Sequence, residues 1–214
     1  MGNEINTRTQ LLLASFVGKM SASMQVAANE GKLKYTDGYY YKRVKLPVSA
    51  NGMQDLLLND DSQKDGFCSI SKQKINQGCA FMADRFTFKV ALYTVPGSGT
   101  PVAYDAWSEG AQVYTSIDEM DATAKAALAA LTCAELEFTV NGDRQWIAPV
   151  NSFNQETVLS NSNKDGKNVT APVFVNDEVL MQYRLHLPQG IALPSGYYVA
   201  VEICMYGAEC RIAR

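Results

Sequence analysis

Apolar residues recur at three- and four-residue spacing in two stretches of the chain. In the first, Leu13, Phe16, Val17, Met20, Met24 and Ala27 share one stripe, with Gln10, Ser15, Ser21 and Ser23 opposite. Thr7 and Gln10 have capping-box spacing, and Gly31 stands where a C-cap glycine belongs, so the pattern predicts one amphipathic helix over residues 7–29. In the second, Ile117, Met120, Ala124, Ala127, Leu128 and Leu131 predict a helix over residues 117–131, with Ser116 and Glu119 as its capping box.

Elsewhere the period is two, as in strands with one buried face. Residues 32–36 and 39–48 flank Asp37-Gly38, and residues 135–140 and 144–150 flank Asn141-Gly142; both dipeptides signal type I′ hairpins. Further strands are expected at 67–75, 85–95, 102–104, 111–115, 172–175, 178–187 and 197–206. Residues 49–62 read as a loop with room for one helical turn at 53–58, and residues 151–170 as a polar loop with a candidate strand at 157–159. That makes roughly ten strands and two helices without repeat or βαβ rhythm. The expected fold is mainly β: an antiparallel β-sandwich of jelly-roll type, with an N-terminal amphipathic helix and one inserted mid-chain helix. Residues 1–31 form the helical arm and residues 32–214 the sandwich domain. Strict alternation places Phe86, Phe88, Val90, Leu136, Phe138, Val140, Val199, Val201 and Ile203 in one core between two sheets.

The 214 residues are 47% hydrophobic and 19% charged, which excludes a disordered or collagen-like chain. Charge is sparser than the ~25% of a usual domain, as suits a chain that buries its exterior against copies of itself. No apolar run reaches the ~18 residues of a membrane-spanning helix. Residues 1–45 carry seven basic side chains against three acidic ones, and the remainder twelve against nineteen. That asymmetry fits an end facing a polyanion or an acidic partner, and equally a solvated hairpin. No dense basic arm exists, so strong nucleic-acid binding is not expected. The five cysteines are odd in number and lack a CxxC, which predicts reduced, mostly buried thiols and no disulfide, Cys204 to Cys210 included. Leu11–Gly18 looks like a short signal-peptide core, but Glu4 cancels Arg8, Lys19 interrupts the run, and helical spacing continues past it.

Candidate chemistry is thin. His186 is the only histidine and falls on the polar side of its strand, so a nucleophile pair with Cys79 or a Ser-His-Asp triad has little to build on. Asn161–Gly166 and Asp61–Gly66 resemble calcium loops but carry Pro172 and Lys72 where the twelfth-position Glu belongs, and read better as Asx-rich turns. No glycine-rich phosphate loop precedes a helix. Tyr39-Tyr40-Tyr41 and Tyr197-Tyr198 offer either an aromatic platform or ordinary core and rim, and Trp107, in a loop, either an interface anchor or a cap over the core. No catalytic residue, metal or cofactor is expected, and the chain does not read as an enzyme.

A helical N-terminal arm, a DG hairpin into a sandwich, a helix inserted between strands and the closing strand Ser195–Val201 together resemble a viral single jelly-roll structural protein, particularly of bacteriophage virions. The likeness is one of architecture over nearly the whole chain, with no shared sequence motif. It implies a capsid-type protein made in a host cytoplasm and located in the virion. Such a protein self-assembles into a shell with copies of itself and with other virion proteins. Leu13, Phe16, Val17, Met20 and Met24 would then form an assembly arm whose end has weak contact with a neighbour, the genome or lipid. The competing reading is a carbohydrate- or receptor-binding sandwich of fibre or lectin type, since fold alone does not assign function.

Overall fold

A computed structural model describes residues 3–47, 50–94, 122–153, 166–189 and 197–213. Its helices are α1 (Asn3–Ser15), α2 (Ala22–Asn29) and α3 (Ala122–Thr132). Its strands are β1 (Leu33–Lys45), β2 (Met53–Asp55), β3 (Cys79–Thr94), β4 (Glu135–Val140), β5 (Asp143–Pro149), β6 (Lys167–Asn176), β7 (Met181–His186) and β8 (Tyr197–Ile212). They form two four-stranded sheets, ordered β1-β8-β3-β6 and β2-β7-β4-β5, and every pairing is antiparallel. Among the described strands the first therefore lies beside the eighth, the second beside the seventh, the third beside the sixth and the fourth beside the fifth.

The predicted core forms from both sheets. Phe86, Phe88, Leu136, Phe138, Val140, Val199, Val201 and Ile203 belong to one buried cluster, with Met181, Tyr183 and Leu185 of β7 and Leu187 just after it. The side chain of Val90 lies outside the described residues. Phe138 stacks on Tyr183 at 4.7 Å and meets Phe86 of the facing sheet at 5.3 Å, while Trp146 packs edge-on against Phe86 at 4.8 Å. Ala130 and Leu131 of α3, with Ala134, join the same core.

Several expectations are corrected. Asp37-Gly38 is not a turn: β1 runs straight through it, pairing Asp37 with Ala208 and Gly38 with Gly207. A Cβ on Gly38 would lie 3.0 Å from the Glu209 Cβ, so this glycine permits close approach of strands instead of reversing the chain. Asn141-Gly142 is the expected turn, with φ of 53° and 84° between β4 and β5. The strand expected at 67–75 is a loop with isolated bridges, because Lys72 and Gln73 take left-handed φ of 49° and 61°. The helical turn expected at 53–58 is instead β2, whose Leu56 and Leu57 neighbours are buried. β3 begins at Cys79 and carries a bulge at Asp84, where its pairing register shifts between Ala83 and Arg85. The shift moves the inward set from Phe81 and Ala83 to Phe86 and Phe88, which unbroken alternation does not anticipate. Pro172 sits in β6, an edge strand, where a missing N–H costs no ladder bond. Strands expected at 102–104, 111–115 and 157–159 lie outside the described residues, as do the Ser116–Glu119 capping box, most of the 161–166 loop and Trp107.

The single helix expected over 7–29 is two helices joined by a short 3-10 turn at Val17–Lys19, with Met20 extended at ψ 164°. Thr7 lies inside α1, not at its N-cap. The break lets the apolar stripe follow the outer face of the first sheet. Leu13, Met20 and Met24 are buried there against Ala80, Met82, Ala208 and Cys210, with Phe16 and Val17 packed on the same cluster. Phe16 lies 5.3 Å from Phe174 of β6, and Thr9 Oγ1 donates to Asp84 Oδ2 at 2.5 Å. The stripe expected to reach a neighbour thus covers the chain's own sheet. Period and spacing reveal that a stripe needs a partner, but not which one.

Candidate functional site

The helices α1 and α2 pack on the outer face of the first sheet around Ala80, Met82, Ala208 and Cys210. Farther along the same face the register sets side chains in rows. Tyr39, Tyr206 and Arg85 form the first, Tyr41, Cys204 and Thr87 the second, and Arg43, Glu202 and Lys89 the third. Three tyrosines and their cations interlock here. The Tyr39 ring lies 6.1 Å from both Tyr41 and Tyr206, the Arg85 guanidinium sits 4.3 Å from the Tyr206 ring, and that of Arg43 5.6 Å from the Tyr41 ring. Arg43 Nε donates to Glu202 Oε2 at 2.6 Å, and Nη1 to the Gly66 carbonyl at 2.7 Å, which fixes the guanidinium plate. Cys204, Thr87 and Glu202 are buried beneath these larger side chains, while Tyr39 is 60% exposed and Lys89 exposed. Of the sequence candidates, Tyr39 and Tyr41 face outward and Tyr40 inward, its hydroxyl donating to Glu209 Oε1 at 3.0 Å. The side chains of Tyr197 and Tyr198 lie outside the described residues. Tyr206, Arg85 and Lys89 were missed because they come from strands far apart in sequence; the signal for them was a polar-side row of cations and aromatics within otherwise alternating segments.

The outer face of the second sheet holds a polar cluster around Glu137, which is buried although it points away from the core. Arg144 Nε donates to its Oε1 at 3.1 Å, and His186 Nε2 lies 2.8 Å from its Oε2. Burial pushes this carboxyl up, but hydrogen bonds from Arg144 and His186, with their charges, outweigh it and hold the group below the ordinary carboxylate range. A depressed carboxyl contributes stability that is present above its unfolded value of about 4.3 and lost as pH falls through the folded value. Glu137→Gln is therefore expected to be less stable than the parent at pH 7, with the gap closing below about pH 4; acid titrations followed by circular dichroism check this. A gap that persists unchanged at low pH would remove the ion cluster as its source.

His186 and Cys79 are not brought together, since Cys79 belongs to the core of the first sheet and His186 to the outer face of the second. Burial and the adjacent Glu209 carboxylate push the Cys79 thiol up to about 12, and burial does the same for Cys204. Cys204 and Cys210 lie on one extended strand six positions apart, about 20 Å, and cannot bridge. Cys133 is exposed and the other four thiols are buried. Titration with an aromatic disulfide reagent should accordingly find one fast thiol in the native protein and five in denaturant; two or more fast thiols would contradict this burial pattern.

Asp61, first residue of a supposed calcium loop, accepts from Lys42 Nζ and from the Leu58 N–H, so its oxygens are already engaged. Among the described residues no group of His, Cys, Asp and Glu is arranged to hold a metal ion. Among them, too, no helix is long and apolar enough to cross a membrane. No family model matches the chain, and no curated protein or solved structure matches it.

Proposed function

We propose that this chain is a structural building block of a viral shell, a jelly-roll subunit that assembles with copies of itself and with other virion proteins. The observation that carries the reading is the pairing of first strand with eighth, second with seventh, third with sixth and fourth with fifth. A long antiparallel hairpin rolled into two sheets gives that order, and the jelly roll of capsid proteins is built this way. Assembly uses the sandwich and the outer side of the helix pair. The inner stripe is taken up within the chain, while Leu11 is 68% and Val26 56% exposed on α1 and α2. The test is sedimentation velocity and negative-stain microscopy of the full chain over a rising concentration series. Discrete closed particles are expected, and the double variant Leu11→Lys with Val26→Lys should stay folded yet remain in small species. A monomer throughout the series would overturn the reading.

A further inference from the structure

We propose that the outer face of the first sheet beyond the helices is a docking platform for single-stranded nucleic acid, held by stacking and charge and not by base sequence. The inference does not rest on the shell reading; it rests on Tyr39, exposed, and Tyr41 and Tyr206, half-buried, lying side by side on one sheet face among cations. Their rings form a contiguous aromatic surface at 6.1 Å spacings, and the most prominent, Tyr39, is 60% exposed on a face where alternation puts polar residues. Every base has a π-face, so such rings accept bases without regard to sequence. Around them the register places Arg43, Lys45, Arg85 and Lys89, with Glu202 among them, Asp84 beside Arg85 and Asp37 at the border, so cations outnumber carboxylates here, whereas the chain as a whole carries net charge −3. That local reversal of sign is complementary to a polyanion. It disfavours a neutral glycan, which would use the tyrosines but gain nothing from the excess of positive charge. Arg43 and Arg85 are already laid against Tyr41 and Tyr206, so a strand meets preset plates whose ordering cost has been met in the fold. Asp37, on the row below, accepts from Gln10 of α1 and marks the border of the platform. A duplex keeps its bases stacked inside and offers such rings nothing; an open strand offers both bases and phosphates.

The experiment is fluorescence anisotropy of the full chain with labelled oligothymidine and oligouridine about 20 nucleotides long, at about 50 mM salt. Micromolar binding is expected, with log K falling on log salt with a slope of about −2 for roughly three neutralised phosphates. Tyr39→Ala should weaken binding about 5-fold or more, and Tyr39→Ala with Tyr206→Ala about 20-fold or more, as loss of one and two stacked bases. Tyr39→Phe keeps the ring and should bind as the parent does. Arg85→Gln should reduce the salt slope by about 0.7, while Lys125→Gln, an exposed charge on α3, should change nothing. Photo-crosslinking of a halogenated oligouridine should mark the peptides holding Tyr39 and Tyr206. Circular dichroism confirms the fold of each variant, and the exposed Tyr39 can be truncated without opening the core. Binding of either oligonucleotide with this variant response supports the proposal, and comparing oligouridine with oligodeoxyuridine distinguishes a ribose from a deoxyribose strand. Absence of binding, equal affinity for a duplex, equal loss with Lys125→Gln, or displacement of crosslinks to other segments overturns it. So does saturable binding of oligosaccharides to the tyrosines by a chain that ignores both oligonucleotides.

Discussion

Truncating Phe138 to Ala should cost about 3–5 kcal/mol, read as a lower denaturant midpoint at unchanged slope. Phe138 is fully buried in β4, a strand with partners on both sides, and its ring meets aromatic neighbours in both sheets. Tyr183 stacks on it at 4.7 Å, Phe86 faces it at 5.3 Å, and Trp146 lies 5.7 Å away. Removing the ring takes away the transfer free energy of a large apolar group. It also leaves a void walled by three rings on two sheets, which cannot all move inward together. Phe138→Leu fills most of that space and should lose less than half as much. A loss under about 1 kcal/mol for the alanine variant would mean that the two sheets close over the gap, and that this aromatic cluster is not the centre of the fold.

Gly207→Ala should be as damaging, by a different route. A Cβ there would run into the Met82 carbonyl oxygen and lie 3.1 Å from the Ala83 Cα, both backbone atoms of the neighbouring strand. Backbone held in a ladder on both sides has no rotamer to change, so β3 and β8 must part where the Asp84 bulge already disturbs their register. A cost of about 3 kcal/mol or more is expected, above the usual 1–3 kcal/mol of an overpacked side chain. Gly142→Ala supplies the internal comparison. Its φ is 84° but nothing lies within 4 Å of an added Cβ, so only left-handed strain of about 1–2 kcal/mol applies. If Gly207→Ala proves no worse than Gly142→Ala in the same thermal or denaturant unfolding series, close strand approach is not what requires the glycine.

These two glycines also show where sequence reading reaches and where it stops. Asn-Gly and Asp-Gly carry the same hairpin signal. One of them, Asn141-Gly142, makes the hairpin: both its residues take positive φ, and β4 and β5 pair antiparallel across it. The other, Asp37-Gly38, sits opposite Gly207, and only the register of β1 on β8 discloses that pairing. Alternation at Phe86-Phe88, Leu136-Phe138 and Val199-Val201-Ile203 was legible because a period of two is written locally and needs no partner to be recognised. The shift at Asp84 was not, since a bulge is one extra residue with no side-chain signature of its own. The helical stripe was legible as a stripe, but its receiving surface is assembled from Ala80, Met82, Ala208 and Cys210, small or soft residues on two distant strands. The tyrosine platform has the same character. Tyr39 and Tyr41 drew notice as neighbours in sequence, whereas Tyr206 and Arg85 join them only once β8 lies between β1 and β3.

The position of β8 has a kinetic meaning. It is the latest strand in chain order, yet it occupies the interior of its sheet, and Leu33 pairs with Ile212 across nearly the whole chain. Contacts of such high order demand loop closure before any pairing is rewarded, which places folding in the millisecond-to-second range instead of the microseconds of local topologies. Until β8 arrives, β1 and β3 have no neighbour between them, and the surface that receives α1 lacks Ala208 and Cys210. A nascent chain therefore carries two long strands with open edges for the time its remaining length takes to emerge, at about 5–20 residues per second. Such open edges are where aggregation during synthesis is expected to begin, and lowering the temperature should shift the yield without touching a native contact.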